Sequence, residues 1–138
     1  MAKILQLPSF IDERGILTVL DNIEELLPFH VRRIFFINAV IDANRGGHRH
    51  HKTRHAAICI NGECIVSTDN GIKQEDFVLN RPEKCLIIET EDWHVMQAFK
   101  PNTILLVLAS EVFDANDYIY EPYKKLVNDP VRKLAVEQ

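Results

Sequence analysis

The sequence predicts an all-β protein, a single jelly-roll domain that covers residues 1–138. Three observations support this prediction. The chain has 138 residues, of which 46% are hydrophobic, so it is long enough for one domain with a substantial core. From residue 15 to residue 109 it consists of short apolar or alternating runs. Turn residues separate these runs at intervals of roughly 8 to 12 positions, as in β-sandwiches and barrels.

The predicted strands follow one another along the chain. They are GILTVL, RIFFINAV, HAAICI, CIVST, IKQEDFVL, CLIIE, VMQAF and TILLVLAS. Asn61-Gly62 follows the third run and Asn70-Gly71 follows the fourth, and both dipeptides tolerate the positive φ that tight hairpins need. The middle of the chain is therefore predicted to be a β-meander. Pro82 marks a later boundary, because proline cannot donate to a strand ladder.

The C-terminal part of the chain has a different pattern. The segment DANDYIYEPYKKLV begins at Asp114, a residue type that caps helices. It predicts one or two short helices packed outside the sheets. About eight strands with a further N-terminal strand and this tail are typical of a jelly-roll or cupin barrel. Such barrels carry functional side chains on inward faces near an open mouth.

Composition excludes several classes of function. The net charge is -4 and the basic residues are scattered among acids, so no basic field favours nucleic acid or an anionic membrane. No apolar run approaches the roughly 18 residues of a membrane-spanning helix, and MAKILQLPSF lacks the apolar core of a signal peptide. Cys59, Cys64 and Cys85 suit free thiols in a reducing compartment. We expect a cytoplasmic protein that acts on a small molecule or a protein partner.

The segment GGHRHHKTRH contains four of the six histidines. On an extended strand His48 and His50 share one face, and His51 lies on the other. His55 has the wrong parity for the first face. A turn after His51 would bring His55 back to the same site from the next strand. His94 begins another predicted strand.

Three interpretations of this segment remain open. The segment resembles a metal-binding cupin motif, in which His48, His50 and His55 would be ligands and Gly62 would follow. His94 would be the fourth ligand, and four imidazoles suit a divalent transition metal. Alternatively, His48 and His50 are acid/base catalysts, because an imidazole with a pKa of about 6.5 exists in both protonation states near neutrality. Finally, the interleaved arginines and lysines are typical of a solvated loop.

A wider set of motifs occurs in order from residue 11 to residue 119. It consists of IDERGILTVL, RRIFFI, RGGHRHHK, INGECIV with the following DNG, DWHVM and VLASEVFDANDYI. Together these segments resemble the sugar-nucleotide 3,4-ketoisomerase family, whose members are similar to the C-terminal cupin domain of WxcM-like proteins. The resemblance implies a jelly-roll cupin that needs no metal. It also implies a homodimer, often with exchanged N-terminal strands.

The resemblance implies a specific activity and a catalytic pair. Family members convert dTDP-4-dehydro-6-deoxyglucose into its 3-keto isomer, a precursor of deoxysugars for surface polysaccharides or antibiotics. The family's histidine pair corresponds here to His48 and His50. We expect His50 to take the C3 proton, and His48 to relay or return a proton.

The resemblance also implies substrate-binding residues. Arg14, in the DERG segment, is the candidate donor to the enediolate oxygen. The alternative is a structural role as a turn residue beside Gly15. Arg33 is expected to bind the diphosphate by bidentate contacts. Trp93 and His94, in a WHxM-like segment, are expected to line the sugar pocket.

Two positions depart from the family pattern. The family has tyrosines in the strand that here reads RIFFI, and Phe35 and Phe36 cannot donate a hydrogen bond. His55 stands where glutamine is common, which favours the metal interpretation. A sugar-nucleotide binding module without catalysis is a further alternative. Asp114, Asp117 and Tyr118 match the family's closing motif, where we expect them to cap and pack the tail. A nucleotide contact is the alternative role of Tyr118.

Overall fold

A computed structural model describes residues 1–124 of the chain. In chain order the strands are β1 (Lys3–Gln6), β2 (Ser9–Asp12), β3 (Gly15–Thr18), β4 (Arg33–Asn38), β5 (Arg45–His50), β6 (His55–Asn61), β7 (Cys64–Asp69), β8 (Gln74–Leu79), β9 (Lys84–Ile88), β10 (Trp93–Gln97), β11 (Ile104–Ala109) and β12 (Tyr118–Ile119). One short helix, α1 (Ile23–Leu26), lies between β3 and β4. Neither this helix nor the single 3-10 turn within residues 1–124 has the length and apolar character needed to cross a bilayer.

Ten of these strands form two five-stranded sheets. The first sheet has the order β1-β9-β6-β11-β4, and the second has the order β12-β5-β10-β7-β8. Strands β2 and β3 pair with each other in a separate hairpin. All the pairings are antiparallel. The prediction of an all-β protein is confirmed.

The connections between strands alternate between the two sheets. From β4 to β11, the link from β7 to β8 joins paired neighbours, and every other link passes from one sheet to the other. Asn70-Gly71 forms the predicted hairpin, with Gly71 at φ 91°. The predicted meander is wrong at Asn61-Gly62, because β6 pairs with β9 and β11 and the turn leads into the other sheet. A turn signal specifies a chain reversal but not the strands that pair.

The central strands of the first sheet are buried on both faces. One face packs against the second sheet, and this inter-sheet core includes Ala57, Cys59, Val66, Leu79, Leu86, Ile88, Leu105 and Val107. The opposite face packs against the segment around α1, in a second cluster that includes Leu7, Leu27, Phe29, Ala56, Ile58, Cys85, Ile87 and Leu108. Burial on both faces explains why β6, β9 and β11 are almost continuously apolar in sequence.

The tail is attached to the second sheet. Asp114 accepts a hydrogen bond from the backbone N–H of Asn116 and begins a single 3-10 turn, Ala115–Asp117. The next residues form β12, which pairs with β5, so the predicted helix is wrong at Tyr118–Ile119. The end of the segment in which we predicted helices lies outside the described residues. Pairing with β5 supplies this segment with hydrogen bonds that a helix would otherwise provide.

Candidate active site

Inward-facing side chains of the two sheets enclose a cavity of about 150 Å³. The second sheet contributes His48, His94 and Tyr118 to its lining, and the first sheet contributes Phe35 and His55. The apolar inter-sheet core continues below these residues. The site is therefore a small polar chamber at one end of an apolar sandwich.

A β-bulge in β5 determines where the histidine segment points. His94 is paired with His48, but the next residue of β10, Val95, is paired with Gly46, so Gly47 is the extra residue. Both glycines have positive φ, 90° and 78°. A Cβ atom on Gly46 would lie 2.8 Å from the His94 carbonyl oxygen. Glycine at this position therefore permits the close approach of β5 to β10.

The histidines of β5 lie on one face, as predicted. The ring centroids of His48 and His50 are 4.9 Å apart, and His48 is 5.0 Å from His94. His50 is buried beside the cavity, with 3% of its surface exposed. His51 is exposed in the following turn. The sharing of one face by His48 and His50 is confirmed.

His55 returns to the site from the other sheet. The chain turns after β5, and His55 is the first residue of β6, where its side chain is buried on the inward face. Its ring centroid lies 4.7 Å from that of His50 and 6.4 Å from that of Phe35. The prediction that a turn restores its access to the site is confirmed.

Asp117 fixes the orientation of His50. The His50 Nδ1 and the Asp117 Oδ2 are 2.9 Å apart, and both side chains are buried. The same carboxylate accepts hydrogen bonds from the Thr53 hydroxyl and the Lys52 backbone N–H. Because an ionised carboxylate only accepts, Nδ1 of His50 carries the proton. The buried Nε2 then retains its lone pair, and it has no hydrogen-bond partner in the described part of the chain.

Burial keeps the imidazoles of the site neutral. It lowers the pKa of His48 to about 4, with a smaller contribution from His94, and it lowers the pKa of His94 to about 4. Burial and the neighbouring histidines lower the pKa of His55 to about 2. Burial also lowers the pKa of His50, but the hydrogen bond to Asp117 opposes it. Neutral imidazoles can accept protons at physiological pH.

Tyr118 belongs to this site, although sequence reasoning assigned it to packing. It is the β12 residue paired with His50, and its ring centroid lies 4.7 Å from those of both His48 and His50. The sequence contained one signal, its position in the closing motif of the family. That signal did not reveal the contact, because the contact depends on the register of a two-residue strand.

Two predicted binding residues lie elsewhere in the chain. Arg14 is at the turn of the β2–β3 hairpin, where it pairs with Asp12 and its side chain is 84% exposed. Trp93 lines a separate pocket with Ser67 and Gln74. Because neighbouring residues of a strand face opposite sides, Trp93 cannot share the inward face of His94. In this single chain neither residue lines the histidine cavity.

Arg33 lies close to the site but is only partly exposed. Its guanidinium carbon is 5.2 Å from the ring centroid of Phe35 and 5.8 Å from that of Phe113. Its positive charge contributes to lowering the pKa of His50 and His55. Its Nε is buried and has no hydrogen-bond partner among the described residues. The side chain therefore has a donor available for a bound anion.

Three of the four predicted metal ligands converge. Among residues 1–124 the candidate ligand atoms of His48, His50 and His94 lie within 4.8 Å of one another, and His55 is not part of this group. Zinc holds imidazole nitrogens at about 2.0–2.1 Å. The hydrogen bond from His50 to Asp117 is typical of metal-binding histidines. The three-histidine set therefore fits a divalent transition metal, and the predicted four-histidine set is not assembled.

Comparison with known proteins identifies the family of this chain. The profile of the family described as "FdtA: WxcM-like, C-terminal" matches residues 1–128. The chain belongs to this family. A curated relative in Aneurinibacillus thermoaerophilus, a TDP-4-oxo-6-deoxy-alpha-D-glucose-3,4-oxoisomerase, is 31% identical over 128 residues, which are 91% of each chain.

Several solved structures that resemble this WxcM-like protein are ketoisomerases. A TDP-quinovose 3,4-ketoisomerase from Campylobacter jejuni is 36% identical, with a TM-score of 0.79 over 87% of this chain and 92% of that chain. A 3,4-ketoisomerase from Thermoanaerobacterium thermosaccharolyticum is 30% identical, with a TM-score of 0.81 over 87% of each chain. That structure is of a histidine-to-asparagine variant in complex with TDP-4-keto-6-deoxyglucose.

This WxcM-like protein has two phenylalanines in β4, in the strand where the family pattern has tyrosines. Phe35 lines the cavity, whereas Phe36 lies on the outward face of β4 and is 66% exposed. The phenylalanine at position 35 therefore changes the lining of the cavity, and the one at position 36 does not. The hydroxyl that a tyrosine at position 35 would contribute is absent.

Proposed function

We propose that this protein is a sugar-nucleotide 3,4-ketoisomerase, which moves the keto group between C4 and C3 of a dTDP-linked 4-dehydro-6-deoxyhexose. The observation that carries the proposal is the pair of neutral histidines at the cavity, His48 and His50, with His50 held by Asp117. Relatives at 30–36% identity that are themselves ketoisomerases support it. We propose that the product is used in the biosynthesis of deoxysugars and polysaccharides.

Proton transfers alone accomplish this reaction. A base takes the proton from C3, the C3–H electron pair forms a C3–C4 double bond, and negative charge develops on the C4 oxygen. The C4 oxygen takes up a proton and becomes a hydroxyl, the C3 hydroxyl loses its proton and becomes the ketone, and a proton is delivered to C4. The carbons and hydrogens balance without an oxidant, so the proposed reaction requires no cofactor.

His50 is the base that we propose for the C3 proton. Its Nε2 has a free lone pair, and the Asp117 carboxylate stabilises the imidazolium that forms. His48 lines the cavity beside it and relays or returns a proton. We propose that His94 lines the sugar pocket. For Arg33, with its unpartnered Nε, we propose a contact to the diphosphate.

The strand order supports a jelly-roll barrel of one domain. In the first sheet β4-β11-β6-β9 are neighbours, and in the second β5-β10-β7-β8 are neighbours. Two four-stranded sets connected by repeated crossings between sheets are the arrangement of a jelly roll. We infer that the chain is a single domain of the cupin type.

We also infer a homodimer with exchanged N-terminal strands. The β2–β3 hairpin is a separate two-stranded unit that exposes Phe10, Ile11, Ile16 and Leu17. Strand β4 is an edge of the first sheet and exposes Ile34 and Phe36. Unpaired edges with apolar residues pair readily with another chain. In such a dimer Arg14 of a second copy is our candidate for the enediolate oxygen.

A metal-dependent cupin is the second candidate function. The convergence of His48, His50 and His94 favours it. Elemental analysis of protein purified without a histidine tag tests it, and a metal content near one per chain would support it. A content far below one per chain, together with turnover, would leave the metal-free isomerase.

Charge and cysteines support the remaining inferences. The net charge of -4 supports a nucleotide-sugar substrate without nucleic-acid or membrane partners. The three cysteines Cys59, Cys64 and Cys85 are free thiols, which suits a cytoplasmic location.

The experiment that tests the isomerase is incubation with dTDP-4-dehydro-6-deoxyglucose in deuterated water, followed by NMR. We expect a C3 ketone and deuterium exchange in the wild-type protein. His48→Asn and His50→Asn should lower turnover by about 100-fold or more. The matched control is His51→Asn, which changes an exposed histidine of the same segment. Tight sugar-nucleotide binding without turnover or exchange would instead indicate a non-catalytic binding module.

A further inference from the structure

Moving a ketone from C4 to C3 also requires proton transfer between oxygens. Oxygen O4 begins as a carbonyl and ends as a hydroxyl, whereas O3 loses its proton. The histidine pair is occupied with the protons on carbon in the proposed reaction. A second group that can both donate and accept is therefore needed near O3 and O4. This inference rests on the proposed function and concerns the same cavity.

Tyr118 is the one side chain with a hydroxyl among the described residues that line the cavity. Phe35, Ile37 and Met96 offer no such group. Arg45 is a permanent cation without an acceptor. His94 engages Nδ1 with the Asp92 carbonyl, which leaves its other nitrogen only as an acceptor in the neutral ring. The phenol can both donate and accept a proton, so it is suited to exchange protons with the two oxygens.

The position of Tyr118 is fixed by its neighbours. The backbone carbonyl of Asp117 accepts a hydrogen bond from the His51 N–H, and the Asp117 side chain binds His50. Tyr118, in β12, then pairs with His50 of β5. Its ring lies 4.7 Å from His48 and also packs against Tyr120, at 5.8 Å. A group held on both sides is well positioned for repeated proton transfer.

We propose that Tyr118 is a catalytic acid/base residue that passes protons between the two sugar oxygens. As His50 takes the C3 proton, the Tyr118 phenol gives its proton to O4. The resulting phenolate then takes the proton from O3, and the O3–H electron pair forms the new C3 carbonyl. The C3–C4 double-bond pair takes the proton that the imidazolium delivers to C4. Phenol and imidazole both end the cycle unchanged. Tyr118 thereby supplies the hydroxyl that is absent at Phe35.

The test is Tyr118→Phe, which keeps the ring against both histidines and removes only the hydroxyl. We expect kcat to fall by on the order of 100-fold, with KM and dTDP affinity within about threefold of the wild-type values. The matched control is Tyr120→Phe, since Tyr120 stacks on Tyr118 at 15° but is 66% exposed. Its kcat should stay within about twofold of wild type. NMR turnover, calorimetric binding of dTDP and thermal melting are measured on each protein.

Three results would overturn the proposal. The first is a loss of kcat smaller than about tenfold in Tyr118→Phe, which would leave the ring with a packing role. The second is a loss of dTDP affinity equal to the loss of kcat, which would assign the hydroxyl to binding. In both cases wild-type turnover leaves the isomerase proposal intact. The third is a wild-type protein without turnover or exchange, which removes the isomerase proposal and this one with it.

Discussion

Asp117 connects the tail of the chain to the chemistry of His50. Burial alone would raise the pKa of Asp117, but hydrogen bonds from Thr53, Lys52 and His50 outweigh it and hold the pKa below its ordinary value. The carboxylate therefore stays ionised beside the imidazole. An ionised partner stabilises the imidazolium that forms when His50 takes a proton.

Replacing this carboxylate should weaken catalysis more than binding. Asp117→Asn keeps the shape of the side chain but removes the charge, so the imidazolium of His50 loses its partner. We expect kcat to fall by at least about tenfold with KM little changed, and a loss of about 1–3 kcal/mol in stability. Steady-state kinetics and urea unfolding measure the two effects. Asp114→Asn, at the partly exposed start of the same turn, is the control, and equal losses in both variants would contradict this role.

At the residue scale, the sequence predicted the site where local spacing decides it. His48 and His50 are two positions apart, which fixes a shared face in any strand. Tyr118 and His50 meet through the pairing of distant segments, and no local pattern encodes that pairing. Trp93 is a different case. Its position next to His94 already required opposite faces, so strand parity could have excluded it from the pocket.

The bulge of β5 determines the geometry of the second sheet at the site. It brings Gly46 against the His94 carbonyl and sets His48 opposite His94. Neither glycine is replaceable without strain, because both have positive φ. Their surroundings differ, however, since a Cβ atom on Gly47 would meet nothing within 4 Å. Alanine substitutions at the two glycines therefore separate the effect of the clash with His94 from the effect of backbone strain.

Gly46→Ala should damage both stability and activity. The added Cβ would lie 2.8 Å from the His94 carbonyl oxygen, so β5 and β10 must separate. We expect about 3 kcal/mol of destabilisation for Gly46→Ala. We expect about 1–2 kcal/mol for Gly47→Ala, because this substitution adds only the strain of a left-handed backbone. Urea unfolding and turnover compare the two. Equal effects would mean that the clash with His94 is relieved without moving the site.

At the element scale, strand positions were easier to predict than strand partners. The eight predicted runs correspond to β3, β4 and β6–β11, because alternation and turns are local signals. Strand β5 lacks apolar residues, so it is not among the predicted apolar runs, although an extended strand was assumed for His48 and His50. The link at Asn61-Gly62 was assigned to the wrong pairing, since burial of β6 on both faces places it between β9 and β11.

The whole molecule should lose stability in acid because of its buried imidazoles. The folded protein holds His48 and His94 at a pKa of about 4, and His55 at about 2. In the unfolded chain these groups bind protons below about pH 6.5. Between pH 6.5 and pH 4 the unfolded state binds more protons, so stability rises with pH over this range.

We therefore expect Tm to fall by at least roughly 5 °C between pH 7 and pH 5. Calorimetry across this range measures it. His48→Asn removes one of the titrating groups, so its Tm should depend less steeply on pH. A Tm that stays constant from pH 7 to pH 5 in the wild-type protein would contradict neutral, buried imidazoles.

The assembly can be tested through its exposed apolar residues. If the hairpin of one copy covers a second copy, Ile11→Glu should give a monomer, because a charge would be buried in the interface. Light scattering during size-exclusion chromatography measures the mass. Ile72→Glu is the control, since Ile72 is 90% exposed in the β7–β8 turn and should leave the dimer unchanged. A wild-type protein that is monomeric at micromolar concentration would contradict the dimer.

Strand β11 lies between β4 and β6 in the first sheet, although it follows both of them in the chain. During synthesis on the ribosome, β4 and β6 are therefore made early and remain without their shared partner until residue 109 has emerged. Folding must wait for this late strand, and long-range pairing of this kind is slow. The growing chain meanwhile exposes two apolar strands, and exposed apolar strands are prone to aggregate, so we expect overproduction of the protein to favour aggregation.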